Sequence, residues 1–365
     1  MNTLKPVSIA TRFAEFIVRF PKLNVFASLL LMALVFSALP SLYKDTRADA
    51  FLADDNPALV YREKVKAQFG LSDPIVVAIM NESKEGIFNP TSLNLVNWLS
   101  EEISNLDNIN ADRVTSLATE NNITGSSDDM LVEPFFDDYP ETQQDADRIW
   151  QQVSEFPLYM GKLVAQNRQA TLIVAELLDE DQVEDSYQKI LELVENSPKG
   201  VNDQIHVAGE GAIAGYLGSY IDADAQRLNP IAGLIITVII LFAFGRLSPA
   251  LLSNVVIAAS VLMTLGIMAY SNVAFFVITN ALPVILIGIS VADSIHIYSH
   301  YFELQAKSPL RDKKDIIVET FEAMWRPITL TTLTTVAGFM GLYFAAYMPP
   351  FKYFGLFTSV GVIIA

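Results

Sequence analysis

Five long apolar runs constrain this sequence more than any other feature. A helix that crosses a bilayer needs roughly 20 mostly apolar residues. The runs that approach or reach this length lie at about 23–43, 231–245, 251–270, 281–300 and 328–347. A sixth run begins near Tyr353, and the sequence ends at Ala365 before that length is reached. The pattern predicts an α-helical membrane protein, and we expect this sequence to be the front part of a longer one.

The acidic residues are concentrated between the first two runs. The 365 residues include 41 acidic and 24 basic side chains, and most of the acidic ones lie between Lys44 and Arg227. That segment contains no run long enough to span a membrane. We therefore predict a water-exposed domain over residues 44–229 and a membrane domain over residues 230–365.

Composition and motifs exclude several classes of function. The net charge of −17 argues against nucleic acid as a partner, because phosphate binding needs a basic surface. The absence of cysteine excludes disulfide bonds, thiolate metal sites and a cysteine nucleophile. No phosphate-binding loop, G-x-S-x-G elbow or H-E-x-x-H motif occurs, which predicts that the protein is not an enzyme. Energy would then come from an ion gradient, and we expect no cofactor and no metal.

Basic residues beside the apolar runs predict the orientation. The cytoplasmic flanks of membrane spans are enriched in Lys and Arg, and residues 1–22 and 302–327 are both rich in these bases. We therefore predict a cytoplasmic N-terminus over residues 1–22, a first span over residues 23–43, and residues 44–229 outside the cell membrane. A cleaved signal peptide is the alternative for the first run.

The water-exposed segment alternates between two kinds of local pattern. Short strand-like segments are typical of residues 74–80, 170–177 and 204–208. Helical spacing of apolar residues is typical of residues 92–109 and 182–196. The alternation predicts an α+β domain of the split βαβ, ferredoxin-like kind.

Asp293 is the residue of the membrane domain that most requires a function. It lies within the fourth run, and Ser290, His296 and His300 fall on the same side of a helix at about 100° per residue. A charged side chain at the bilayer centre costs at least ~2.5–3.5 kcal/mol on insertion scales, so we expect Asp293 to face a bundle interior or a water-filled path. A carboxyl group that water reaches from alternate sides is suited to carry protons.

Simpler roles stay open for these residues. A shift of the helix in register would place His300, and even His296, at the level of the cytoplasmic headgroups. Asp293 could instead serve as a structural hydrogen-bonding residue between helices. A metal site formed by Asp293, His296 and His300 is disfavoured, because the sequence offers no second cluster of ligands.

Small and hydroxyl-bearing residues near Asp293 predict a close pair of helices in the fourth and fifth runs. Small side chains let two backbones approach, and hydroxyl groups can form hydrogen bonds across the seam. The predicted packing residues are Gly288, Ala292, Gly338 and Gly341. Thr331 and Thr335 are candidates for extending a proton relay from Asp293. The alternative is that these hydroxyl groups bond to carbonyls of their own helix.

The segment between the fourth and fifth runs predicts an amphipathic helix over residues 308–325. Ile317, Phe321, Met324 and Trp325 recur at helical spacing, and charged residues precede them. We expect this helix to lie on the cytoplasmic surface of the membrane. Simple anchoring is the role that requires the fewest assumptions.

The order of these features resembles the resistance-nodulation-division (RND) superfamily, and within it the MMPL-like exporters of hydrophobic and amphiphilic molecules in bacteria. The resemblance covers essentially the whole chain, and the segments at 288–301 and 326–339 are the most specific. The other segments that carry it are Phe51 to Pro57, Phe69 to Val77, Val114 to Thr119, Leu163 to Ile173 and Leu228 to Pro230.

The resemblance implies a proton-driven exporter of lipidic, hydrophobic or amphiphilic molecules in the bacterial inner membrane. It implies a porter-like external domain, a membrane domain similar to a sterol-sensing domain, and a proton-carrying acid at the position of Asp293. It also implies a second, repeated half, so the expected partners are membrane lipids, the lipidic substrate, and a missing C-terminal half or a second copy.

Two other functions fit the same layout. One is a membrane scaffold that senses lipids or sterols without transporting them. The other is a SecD-like subunit for protein translocation, which resembles this layout but lacks the segments at 288–301 and 326–339.

Overall fold

The chain divides into two compact units. The structure, a computed structural model, describes residues 9–53, 55–125, 130–135 and 139–365. The first unit combines Met1–Asp45, Ala50–Ala53 and Ile221–Ala365, and the second combines Thr46–Asp49 and Asp54–Tyr220. We call them the helical unit and the sheet unit. Residues 1–8 of the predicted N-terminal segment lie outside the described residues.

The described residues form α-helices and short β-strands. The helices are α1 (Ile9–Arg19), α2 (Pro21–Phe36), α3 (Pro57–Phe69), α4 (Pro90–Ser104), α5 (Gln143–Glu155), α6 (Val183–Asn196), α7 (Glu210–Phe244), α8 (Leu247–Tyr270), α9 (Ala281–Lys307), α10 (Lys313–Ala345) and α11 (Pro349–Ile364). The strands are β1 (Lys44–Asp45), β2 (Ile75–Asn81), β3 (Ile109–Thr115), β4 (Asn121–Gly125), β5 (Met130–Pro134), β6 (Ala170–Leu177), β7 (Asp203–Ala208) and β8 (Phe275–Phe276).

Five helical segments in the described chain are long and apolar enough to cross a membrane. They are Pro21–Ser41, Glu210–Phe244, Leu247–Tyr270, Val277–Lys307 and Lys313–Ala345. Each of the five predicted spans coincides with one of them. The sixth run forms α11, which has 16 residues.

Two helices are longer than the sequence pattern predicts. Helix α7 starts at Glu210 and continues through Pro230, so the predicted boundary at 229/230 lies inside a helix and the two units divide at Tyr220 instead. Helix α10 continues through Pro327, so the predicted amphipathic helix at 308–325 is the first part of the fifth span rather than a separate element. A proline removes one backbone donor, and neighbouring helices and local adjustments let membrane helices tolerate it.

The helical unit has two apolar contact regions. In one, α8, α9 and α11 bury Met268, Leu286 and Phe357 against each other. In the other, Ile240 of α7 packs with Ile257 of α8. Short strands β1 and β8 of this unit pair in parallel.

The sheet unit is built on four antiparallel strands in the spatial order β3-β6-β2-β7. Helix α4 connects β2 to β3, and α6 connects β6 to β7. This connection pattern and strand order are those of the split βαβ arrangement. The segment between β3 and β6 adds the hairpin β4–β5 and helix α5.

Strand β2 lies inside the sheet and fixes its register. Its side chains alternate in burial, as expected when successive residues point to opposite faces, and Ile75, Val77 and Ile79 are fully buried. Ile79 pairs with Thr171 of β6 on one side and with Ile205 of β7 on the other. Helix α4 covers this face with Leu93, Val96 and Leu99 among its fully buried side chains, and these form the core.

An ion-pair network stabilises the sheet unit around α3. The Lys66 Nζ atom lies 2.8 Å from Oε1 of Glu180 and 3.3 Å from Oδ2 of Asp73. Arg62 contacts Asp73 as well, at 2.7 Å. Burial lowers the pKa of Lys66, but the hydrogen bonds and charges of Glu180 and Asp73 outweigh burial, so the pKa lies above its ordinary value of 10.5.

We expect Lys66→Met to lower the free energy of unfolding by about 1–3 kcal/mol, between the values typical of exposed and of buried ion pairs. Because the folded pKa is raised, this stabilisation is present at neutral pH and is lost as the pH rises through the folded value. The difference between wild type and variant should therefore shrink in strong alkali. Tryptophan fluorescence during denaturation of the detergent-solubilised protein measures the free energy of unfolding of both proteins at each pH.

Lys189→Met is the matched control for this prediction. Lys189 pairs with Asp185 in an exposed, i,i+4 arrangement on α6, and such pairs contribute only about 0.3–0.5 kcal/mol. Equal destabilisation by the two variants would contradict a special role for the Lys66 network.

Candidate functional site

Helix α9 positions the candidate site within the helical unit. It begins at Ala281, and its first turns bury Leu282, Pro283 and Leu286. Leu286 is held against α11, because a Cβ built at Gly361 would lie 2.5 Å from one of its methyl carbons. This packing fixes the rotation of α9 and therefore the direction of every side chain farther along it.

Asp293 lies on the same side of α9 as Leu286, roughly two turns farther toward the C-terminal end. The rise of a helix places it roughly 18 Å from Ala281, near the middle of the candidate span Val277–Lys307. Its side chain is half-buried. Among the residues that the structure describes, none forms a hydrogen bond or an ion pair with this carboxyl group.

The other predicted relay residues occupy different surroundings. Ser290 is 3% exposed, and its hydroxyl group donates to the Leu286 carbonyl of its own helix at 2.7 Å. His296 follows Asp293 by one turn and is exposed. The structure thus keeps His296 near Asp293 on α9 and directs Ser290 into the packed side of the bundle.

The threonine hydroxyl groups of α10 bond within their own helix. Thr331 donates to the Ile328 carbonyl at 2.8 Å, and Thr335 donates to the Thr331 carbonyl at 2.8 Å. Neither hydroxyl group bonds to Asp293. These hydroxyl groups therefore bond to carbonyls of their own helix, which was the alternative to a proton relay. Their part in a relay stays a prediction.

The predicted packing residues have open surroundings within the described chain. A Cβ built at Gly288, Gly338 or Gly341 would meet no atom within 4 Å, and Ala292 is exposed. Small residues allow a close approach but do not create one, because larger neighbours decide which faces meet. Gly288, Ala292 and His296 therefore form one open strip along α9, which we call the open face.

Close helix packing uses other glycines, which sequence analysis missed. A Cβ built at Gly266 of α8 would lie 2.6 Å from the Val35 carbonyl oxygen of α2, and one at Gly355 of α11 would lie 2.6 Å from the Phe339 carbonyl oxygen of α10. The only available signal was the presence of glycine in apolar runs, which does not distinguish these positions from Gly288.

Metal binding has no evident site in the part of the chain that the structure describes. No three His, Asp or Glu side chains of that part converge in a group that could hold a metal ion. The arrangement around Asp293 places a carboxyl group in mid-helix with an imidazole one turn away on the same helix.

Comparison with known proteins identifies a family, and similar proteins include an archaeal membrane protein and an efflux pump of similar fold. The model of the MMPL family matches residues 96–365. A membrane protein of Methanocaldococcus jannaschii is 20% identical over 367 residues, which cover 97% of this chain and 89% of the archaeal protein. A crystal structure of a heavy metal efflux pump has a TM-score of 0.51 and 8% sequence identity to this chain.

The structural match covers 96% of this chain but only 46% of the pump chain, so this chain spans less than half of that protein. At that sequence identity the similarity is one of fold. The family match extends over most of the chain and includes Asp293 and both of the most specific sequence segments, 288–301 and 326–339. The resemblance to the MMPL-like branch of the RND superfamily is confirmed, and the chain belongs to the MMPL family.

Proposed function

We propose that this protein exports lipidic, hydrophobic or amphiphilic molecules out of the bacterial inner membrane, driven by the proton gradient. The observation that carries the proposal is Asp293, a half-buried carboxyl group near the middle of a membrane span. Its insertion cost is at least ~2.5–3.5 kcal/mol, and residues of this kind mark ion paths and proton relays. Membership of a family of RND-type transporters supports the same conclusion.

The proposed proton path requires a partner. The open face of α9, formed by Gly288, Ala292 and His296, is exposed in the described chain. An imidazole in this strip is costly against lipid tails, whereas small residues beside it suit close contact with another helix. The partner is a second half of the transporter or a second copy of this chain, which would place Asp293 at the interface.

The substrate class is proposed from the family resemblance and from the apolar side chains exposed on the membrane helices. Exposed side chains on α7 such as Leu234, Val238 and Phe242 are large and apolar, which suits contact with lipid. The pump of similar fold is a heavy metal efflux pump. At 8% identity its substrate does not carry over to this chain.

The proposed orientation places the sheet unit outside the inner membrane and the α9–α10 connection in the cytoplasm. The chain has no cysteine, so single-cysteine variants give clean labelling. Val201 of the sheet unit and Leu310 of the connection are both fully exposed. We expect an impermeant maleimide to label Val201→Cys in intact cells with a permeabilised outer membrane, and to label Leu310→Cys only after lysis. The reverse pattern would contradict the orientation.

Accumulation of a hydrophobic fluorescent dye tests the export function. Cells that produce the protein should accumulate less dye than cells that lack it, and a protonophore should remove the difference. Unchanged accumulation with protein present would favour a lipid-sensing scaffold. A difference that survives the protonophore would exclude the proton gradient as the energy source.

A further inference from the structure

A large, mostly apolar cavity lies within the helical unit. Its volume is about 630 Å³, within the range of about 300–1,000 Å³ that is usual for small-molecule sites. Residues from the start of α8, the second half of α9 and the first half of α10 line it, and one side is open. Its apolar lining includes Leu252, Ile297, Phe302, Phe321, Met324 and Trp325. Asp293 and His296 do not line it.

Two cations lie at this cavity without carboxylate partners. Arg246 immediately precedes α8, and Lys313 is the first residue of α10. Neither forms an ion pair with any described residue, and no described acidic residue lines the cavity. The Arg246 guanidinium carbon lies 4.9 Å from the ring centroid of Phe302, so the charge is held against an aromatic wall.

Several polar side chains that line the cavity also have no hydrogen-bond partner in the described chain. Ser248, Tyr301 and Gln305 line the cavity, and their side chains make no hydrogen bond to any residue that the structure describes. Helix α8 begins here without a side-chain cap, so its first backbone N–H groups add donors and a partial positive charge. The cavity therefore combines an apolar wall with a cluster of cationic and neutral donors.

The N-terminal helix α1 supports a position of this cavity at the membrane surface. Phe13 of α1 packs on the cavity residue Phe321, with ring centroids 6.0 Å apart. Phe16 and Phe20 remain exposed beside Arg19. An amphipathic helix with exposed phenylalanines and arginines lies in the headgroup region of a membrane, which places the adjoining cavity at headgroup depth.

We propose that this cavity binds an acidic phospholipid from the cytoplasmic leaflet. Arg246 and Lys313 contact the anionic headgroup, Ser248 and Gln305 donate hydrogen bonds to it, and an acyl chain fills the space between Leu252 and Trp325. The cytoplasmic location rests on the orientation given under the proposed function. Asp293 and His296 are not among the residues that contact the bound lipid, and the lipid ties the start of α8 to the start of α10.

Native mass spectrometry of the detergent-solubilised protein tests this site with phosphatidylglycerol and phosphatidylcholine as probes. We expect tighter binding of phosphatidylglycerol, and we expect R246Q/K313Q to weaken it by about tenfold or more, since each 1.4 kcal/mol of lost interaction is a factor of ten. Phosphatidylcholine binding should change little. Excess glycerol phosphate should not displace the lipid, because the apolar cavity contributes affinity only to an acyl chain.

K307Q/K314Q is the matched control, since it removes the same charge from the same region at residues that do not line the cavity. It should leave phosphatidylglycerol binding within about twofold of wild type, a difference of well under 1.4 kcal/mol. A second variant, L252W, fills the cavity and should weaken binding without changing any charge. Equal losses in both charge variants, or equal binding of the two lipids, would overturn the proposal.

If the protein forms a dimer and L252W disrupts it, the cavity binds a second copy of the chain. That result would also overturn the lipid proposal. Binding in detergent requires neither a proton gradient nor transport. Failure of the lipid site therefore leaves the export proposal standing, and failure of export leaves the lipid site standing.

Discussion

Replacing Asp293 with Asn is expected to abolish proton-driven export while the protein still folds and inserts. Asparagine has nearly the same shape as aspartate but cannot release a proton, so the cycle would lose its carrier. The half-buried carboxyl group has no hydrogen-bond partner among the described residues, so the substitution leaves no other group there unpaired. Dye accumulation should rise to that of cells lacking the protein, with equal amounts of protein in the membrane.

Asp315→Asn is the control for this substitution. Asp315 lies in the first turn of α10, is exposed, and makes no ion pair with any described residue. The same chemical change there should leave export unaltered. Export retained by Asp293→Asn, or lost equally in both variants, would defeat the assignment of Asp293 as the proton carrier.

Replacing Gly86 with Ala is expected to destabilise the sheet unit by about 2–5 kcal/mol. Gly86 has a φ of +62°, and a Cβ built there would lie 2.1 Å from the Arg168 carbonyl oxygen. That carbonyl accepts a hydrogen bond from the Ile87 backbone N–H at 2.9 Å. The left-handed conformation costs about 1–2 kcal/mol for a residue with a Cβ, and forcing the two backbones apart adds about 1–3 kcal/mol.

Gly161→Ala separates these two contributions. Gly161 has a φ of +76°, but the nearest atom to a Cβ there is the Gln166 Nε2 atom at 3.7 Å. Gly161→Ala should therefore lower the free energy of unfolding only by the conformational cost, about 1–2 kcal/mol. Trp150, whose ring lies 4.6 Å from the Arg168 guanidinium carbon, provides a local fluorescence signal for thermal unfolding. Equal shifts in melting temperature for the two variants would contradict the close contact at Gly86.

The spans and the sheet were predictable because their signals are local. About 20 apolar residues in succession have few alternatives to a membrane helix. Strand-like runs such as residues 74–80 and 170–177, separated by helical spacing, favour the split βαβ arrangement that the sheet adopts. The corresponding strands β2 and β6 are neighbours in the sheet, which follows from that strand order.

Helix ends and helix contacts were less predictable because they depend on neighbours. Pro230 and Pro327 suggest boundaries from sequence, yet both lie inside continuous helices. Glycine spacing predicted contact at Gly288, whereas the close approaches occur at Gly266 and Gly355, where a Cβ would lie 2.6 Å from a carbonyl oxygen of the neighbouring helix. Such choices depend on how three or more helices pack together, and spacing along one helix does not contain that information.

The sequence alone identifies Asp293 as a candidate, but it does not predict which side chains surround this residue. A lone acid in an apolar run singles out Asp293 without knowledge of the fold. The direction of Ser290 depends on the packing of Leu286 against α11, which the sequence does not reveal. The cavity near Arg246 was not predictable either, because its three walls come from separate parts of the chain.

Proton flux in proteoliposomes tests the central claim most directly. The purified protein is reconstituted with a pH-sensitive dye inside the vesicles, and an amphiphile is added. The account predicts that the amphiphile triggers proton movement in the wild type, and that Asp293→Asn shows none. Amphiphile movement that continues unchanged when no protons move, or proton movement that persists in Asp293→Asn, would contradict the account.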